Sequence, residues 1–98
     1  MIRVIIERYI CEGRFQDYLD LIRRARKQAS TNDGFIAGEL LQEKSNQNHA
    51  VIISSWEDFE SWNIWQNSDE RKQVLKLIRP LLDQDEKVTV LEGSQLLQ

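Results

Sequence analysis

The spacing of apolar residues switches repeatedly along this chain, and the order of the switches leaves few folds open to it. Residues 2–10 are dense in β-branched side chains (Ile2, Val4, Ile5, Ile6, Ile10) until Glu12-Gly13 interrupts them, which predicts a strand. From Arg14 the spacing becomes helical. Phe15, Tyr18, Leu19, Ile22, Ala25 and Ala29 fall on one stripe, with Asp17 and Asp20 early and Arg23, Arg24, Arg26 and Lys27 late, as the helix macrodipole favours. Ser30-Thr31-Asn32-Asp33-Gly34 has the chemistry to end that helix. Strands are then expected over Phe35–Glu43 and Ala50–Trp56, joined by the polar Lys44–His49 as a hairpin loop. Ser55-Trp56-Glu57-Asp58 resembles a capping box, opening a short helix with Phe59, Trp62 and Trp65 along one side. Ser68-Asp69-Glu70 reads as a second cap, for a helix carrying Val74, Leu75 and Ile78 that Arg79-Pro80 ends or kinks. Lys87–Leu91 is the last expected strand, and Gly93 releases a tail.

Strand, helix, strand, strand, helix pair, strand is the order of an α+β fold. With right-handed crossovers it predicts a ferredoxin-like βαββαβ sandwich, a four-stranded antiparallel sheet with helices on one face. The other face of such a sheet is normally wet, and its strands then alternate apolar and polar. Here they do not. Val4, Ile6 and Ile10 oppose Ile5 and Tyr9; Ile52 and Trp56 oppose Val51 and Ile53; Val88 and Val90 oppose Leu91. Each buried aliphatic is worth roughly 1.5–3 kcal/mol, so an uncovered second face forgoes on the order of 10 kcal/mol. Pairing sheet to sheet with a second copy is therefore expected.

At 98 residues the chain is read as a single domain over 1–98, with its core at about 2–92 and a short tail at 93–98. Thirteen basic against 16 acidic side chains give a formal charge of -3, which argues against nucleic acid as the main partner. No apolar run approaches the roughly 18 residues of a membrane span. Met1–Ile6 lacks a cationic lead and a cleavage site, so no export is expected. The lone Cys11 fits a reducing cytoplasm.

One histidine and one cysteine, without paired spacing, give no metal signature, and no cofactor is expected. His49 reads as an exposed loop residue. There is no glycine-rich phosphate loop and no serine or cysteine nucleophile motif. Trp56, Phe59, Trp62 and Trp65 do stand out. Core packing accounts for Trp56 and Phe59, while Trp62 and Trp65 are candidate walls of a pocket where a flat organic ligand stacks. Glu7-Arg8 is the second oddity, because neighbours on a strand point to opposite faces, so one of the pair enters the helix-covered side. A carboxylate in an apolar pocket has a raised pKa and can act as a base, which makes Glu7 the candidate catalytic residue. The plainer alternative is a satisfied ion pair, such as Glu7 with Arg71, or Arg8 across a dimer.

Residues 55–71, Ser55-Trp56-Glu57-Asp58 through Trp65 and Ser68 to Arg71, resemble the antibiotic biosynthesis monooxygenase (ABM) family, in the dimeric α+β barrel superfamily. The shared pattern is a tryptophan ending the third strand, an acidic cap, and a tryptophan shortly before a serine. Val4-Ile5-Ile6-Glu7-Arg8 and Gly34-Phe35-Ile36 also look like that family. In its haem-degrading branch an asparagine, a tryptophan and a histidine do the work. The matching positions here are Glu7, Trp65 and Leu75, so haem degradation is not expected. The cofactor-free branch oxidises polycyclic phenols, in which the electron-rich substrate itself reacts with oxygen. That resemblance implies a homodimer acting on a small aromatic or quinone-type molecule and dioxygen, with Glu7 as base or orienter and Trp62, Trp65 and Arg71 contacting the substrate. Two other classes stay open: an isomerase or decarboxylating enzyme on a small metabolite, and a non-catalytic dimeric binding or stress-response domain.

Overall fold

The computed structural model describes residues 1–93 and 95–97; of the expected tail, Ser94 and Gln98 lie outside the described residues. In chain order the elements are β1 (Ile2–Tyr9), α1 (Phe15–Ala29), β2 (Phe35–Glu43), β3 (Asn46–Trp56), α2 (Phe59–Gln66), α3 (Asp69–Ile78), a 3-10 turn (Arg79–Leu81) and β4 (Lys87–Glu92). The strands form one four-stranded sheet in the order β2-β3-β1-β4, antiparallel at every pairing. This is the ferredoxin-like α+β fold expected from the sequence, with the helices on one face.

Local chemistry explains most boundaries. α1 ends where the Ser30 and Thr31 hydroxyls donate to the carbonyls of Lys27 and Gln28. Gly34, at φ +88°, turns the chain into β2. Ser68 caps α3 by accepting the Arg71 N–H, and Pro80 falls in the 3-10 turn that ends it. Two expectations are corrected. The cap of α2 is Asp58, whose carboxylate accepts the Ser61 N–H at 2.8 Å, while Ser55 is still in the β3 ladder. The hairpin loop is also tighter than expected. β3 starts at Asn46, because an antiparallel ladder can continue under polar side chains when their surroundings are wet.

Strand alternation divides the sheet into two faces. Ile2, Val4, Ile6, Arg8 and Ile10 are buried under the helices. Arg3, Ile5, Glu7 and Tyr9 share the opposite face with their cross-strand partners Ser55, Ile53, Val51 and His49. The core falls into two clusters. One joins Ile2, Val4, Ile6, Ala29, Trp56, Trp62 and Trp65, and the other Ile10, Tyr18, Ala50, Val74, Ile78 and Leu81. Arg8 interrupts the apolar run of β1 between them.

The face turned away from the helices keeps the apolar character read from the sequence. Leu41 and Leu91 are exposed there, 43% and 47%, beside the half-buried Ile5, Val51 and Ile53. His49 is not a free loop side chain. It is half-buried on β3, stacked on Tyr9 with ring centroids 4.3 Å apart and planes 4° from parallel. Its Nδ1 lies 3.0 Å from Glu43 Oε1 and its Nε2 3.5 Å from Glu7 Oε1. Among the described residues no helix is long and apolar enough to cross a membrane.

Candidate functional site

A cavity of about 290 Å³ lies between the sheet and the helices, near the lower end of the roughly 300–1,000 Å³ usual for small-ligand pockets. Its walls come from both core clusters: Ile6, Trp56, Trp62 and Trp65 from one, Val74 and Ile78 from the other. Leu19 and Ile22 of α1 and Leu40 of β2 complete the apolar lining. Trp62 and Trp65, one turn apart on α2, are the wall that this helix contributes. Trp62 meets Trp56 edge-on at 5.8 Å, and Trp56 in turn meets Phe35 at 5.2 Å. Phe59, expected in the core, is 51% exposed instead, at the first residue of α2.

The polar groups concentrate around Arg8. Its Nε donates to Glu86 Oε2 at 2.8 Å, its Nη2 lies 2.6 Å from the same oxygen, and its Nη1 donates to the Tyr18 hydroxyl at 3.1 Å. Arg71, from the first turn of α3, approaches the other Glu86 oxygen at 3.6 Å and lies over the Trp62 ring, 5.4 Å from its centroid. Burial pulls the Arg71 pKa below its ordinary value, with Glu86 opposing that shift and Arg8 adding to it. It drives the Tyr18 phenol the other way, above its ordinary value, with Arg8 opposing. Both effects are desolvation of a charged form.

Among the described residues Trp62 Nε1 has no hydrogen-bond partner, and Arg71 Nη2 has only its 3.6 Å ion-pair approach to Glu86 Oε1. Ser54 Oγ accepts the Trp56 indole N–H at 3.1 Å, and its own proton remains to be donated. Ser54, Trp62 and Arg71 all line the cavity.

Trp62, Trp65 and Arg71, picked out from the sequence, are thus brought together on one cavity. Glu7 is not among the residues that line it. The parity of β1 puts Glu7 on the far face beside His49 and sends Arg8 toward the helices, which also removes Arg8 from the open face where a dimer contact was expected. The ion pair that forms is Arg8–Glu86, not Glu7–Arg71. Leu75, at the position matched to a haem-ligating histidine, is an apolar wall residue. Arg8, Glu86 and Ser54 were missed as site residues. The signal for Arg8 was its register with Ile2, Val4 and Ile6; Glu86 stands in the acidic stretch Asp83–Glu86 and carries no pattern that marks it.

A ferredoxin-like α+β domain with a tryptophan-walled cavity between helices and sheet is the class that fold and site define. The chain belongs to the antibiotic biosynthesis monooxygenase (ABM) family, whose profile matches residues 1–77. Over 80 residues it is 29% identical to the 42.8 kDa protein in the whiE locus of Streptomyces coelicolor, which covers 82% of this chain and 19% of that protein. The chain spans about a fifth of the length of the curated relatives it matches. Among solved structures, a conserved protein from Methanosarcina mazei Go1 superposes with a TM-score of 0.89 at 20% identity, covering 95% of this chain and 92% of that one. SnoaB, a cofactor-independent oxygenase from Streptomyces nogalater, superposes with a TM-score of 0.84 at 18% identity, covering 98% and 96%. At those identities the likeness is one of fold.

Proposed function

We propose that this chain is a cofactor-independent, monooxygenase-like protein acting on a small aromatic or quinone-type molecule, bound in the cavity between α1, α2, α3 and the sheet. The observation that carries the reading is the cavity itself: apolar walls, three tryptophans and a few polar donors, built on a family whose members are named as monooxygenases. An electron-rich anthrone-type phenol is the substrate class. Its ring methylene becomes a carbonyl with one atom of dioxygen, and the other atom leaves with the two methylene hydrogens as water, so the substrate supplies all the electrons. The protein's part is to hold the flat ring against Trp62 and Trp65, exclude bulk water and face the developing oxyanion with N–H and O–H donors. Glu7, across the sheet, has no place in that step.

The working unit on this reading is a homodimer, paired through the face that carries Ile5, Leu41, Val51, Ile53 and Leu91. All three tryptophans line the cavity, so their fluorescence reports occupancy directly. An anthrone-type phenol is expected to quench it saturably and to consume one dioxygen per carbonyl formed. Trp65→Phe keeps the core filled and should weaken binding by roughly 1 kcal/mol through lost stacking. Saturable quenching without oxygen uptake would reduce the protein to a binding domain, and no quenching with any flat phenol would remove the reading altogether.

A further inference from the structure

One glycine in the cavity wall is required neither by the backbone nor by packing. Gly38 stands in the interior of β2, where a glycine weakens a strand for want of a side chain. It is not one of the left-handed glycines, which are Gly13, Gly34 and Gly93. A Cβ built on it would meet the tip of the Phe35 ring at 3.6 Å, an ordinary contact, and nothing closer. Alanine therefore fits beside Phe35, whereas a branched side chain would project into the cavity that Gly38 lines. The strand register shows what the missing side chain leaves open. Gly38 pairs with Ser54, and Ser54 with Val4, on the helix-covered face. Phe35 and Trp56 flank the Gly38–Ser54 pair on one side, Leu40 and Ile52 on the other, and all four line the cavity. Gly38 and Ser54 thus form a low step between two taller ones, and the step ends at β2, the edge strand.

We propose that Gly38 is a specificity-determining residue that sets how many fused rings the cavity admits. The space above it takes the far ring of a linear three-ring ligand, and a branched side chain there restricts the cavity to two rings. The inference rests on the cavity of the oxygenase reading and on none of its chemistry, and it deepens that reading by naming what selects the size of the substrate. The cavity floor runs from Ile6 on β1, across Ile52 and Ser54 on β3, to Gly38 on β2. Neighbouring strands lie about 4.8 Å apart, so the floor spans roughly 10 Å from β1 to β2, the length of three fused rings in line and more than two need. At the β2 end of that span a flat ring can approach the backbone itself, because glycine puts nothing in the way.

The test compares 2-naphthol with 2-anthrol, neutral phenols that differ by one fused ring, through tryptophan quenching under nitrogen so that no turnover intervenes. The wild-type chain is expected to bind 2-anthrol at least about tenfold more tightly, since the added ring buries further apolar surface. Gly38→Val, whose branched side chain suits a strand, should weaken 2-anthrol binding about tenfold or more and leave 2-naphthol within about threefold. Gly38→Ala should weaken 2-anthrol selectively by a smaller factor, and it decides the question should the valine variant fail to fold. Ala37→Val puts the same side chain on the opposite face of β2, beside Ser55, and should change neither affinity. Equal wild-type affinities, substitutions at Gly38 that weaken both probes alike or neither, or no binding of either probe would each overturn the inference. Oxygen uptake is scored separately with an anthrone-type phenol. Ring selectivity that follows residue 38 without uptake sinks the oxygenase reading and leaves Gly38 as the size determinant, and uptake with no dependence of selectivity on residue 38 does the reverse.

Discussion

Gly34 sets how closely α2 can approach the start of β2, and replacing it with alanine isolates two penalties that the structure lets one separate. Its φ of +88° lies where an L side chain is strained, at about 1–2 kcal/mol. Its added Cβ would also overlap the Ser61 hydroxyl and sit 2.5 Å from Ser61 Cβ, against an ordinary carbon contact of about 3.5–4.0 Å. Ser61 cannot rotate out of the way, because the clash includes its Cβ. Nor can the backbone separate freely: the Glu57 N–H donates to the Gly34 carbonyl at 2.8 Å, and Ser61 is tied to the Asp58 cap through both its N–H and its hydroxyl. Overpacking of that kind adds roughly 1–3 kcal/mol, for a total of about 2–5 kcal/mol. Gly13 is the internal control, since it has φ +80° and nothing within 4 Å of its added Cβ, so Gly13→Ala carries the backbone term alone. Urea unfolding followed by circular dichroism should place Gly34→Ala well below Gly13→Ala in stability. Adding Ser61→Gly to Gly34→Ala should recover most of the difference. If Gly34→Ala proves no worse than Gly13→Ala, the close approach of α2 to this turn is not a constraint and the reasoning fails.

Three other perturbations read other parts of the molecule. Light scattering after gel filtration should report about twice the 11.6 kDa chain mass at micromolar concentration, and Ile53→Arg should shift it toward monomer; a clean wild-type monomer would defeat the two-faced-sheet argument. Arg8→Met strands Glu86 with Arg71 alone and should lower unfolding stability by roughly 1–3 kcal/mol, less than for a fully buried pair because Glu86 is 21% exposed; a more stable variant would mean that desolvating Arg8 outweighs its contacts. The Asp58 carboxyl is held below its ordinary value of 3.8 by the N–H and hydroxyl of Ser61. Its contribution is present above that value and is lost as pH falls through the lower folded-state value. Asp58→Asn should therefore flatten the decline in Tm between about pH 4 and pH 2, and an unaltered acid limb would count against the cap.

The fold was legible because its elements speak through local period and turn chemistry. The bounds of β2 follow from Gly34 on one side and Lys44-Ser45 on the other, and Ser68 and Pro80 bracket α3 as their chemistry requires. The site was legible only in its aromatic half. Trp62 and Trp65 announce themselves by size and spacing, whereas Glu7 and Arg8 were left unassigned to faces: Arg8 is in register with Ile2, Val4 and Ile6, but Ile5 and Tyr9 give the other parity apolar residues as well. A strand with one wet face would have resolved that, so the property that suggested a dimer also hid the charged group in the cavity. Glu86 was beyond reach for another reason: its partner Arg8 is 78 residues away, and no local rule connects them.

That separation gives the charge cluster a place in the order of folding. Arg8 comes from the first strand, Arg71 from the third helix and Glu86 from the segment just before the last strand. As the chain emerges N-terminus first, both cations precede the anion that reconciles them. β1 and α3 would then bring two like charges into an apolar space, and a premature collapse of that kind repels itself. Arrival of Glu86 removes the repulsion at the moment β4 becomes available to pair with β1. A chain cut at residue 77, the end of the family match, keeps both arginines and loses Glu86 together with β4. On this reasoning, docking of the last strand and neutralisation of the two arginines beside the cavity would go together.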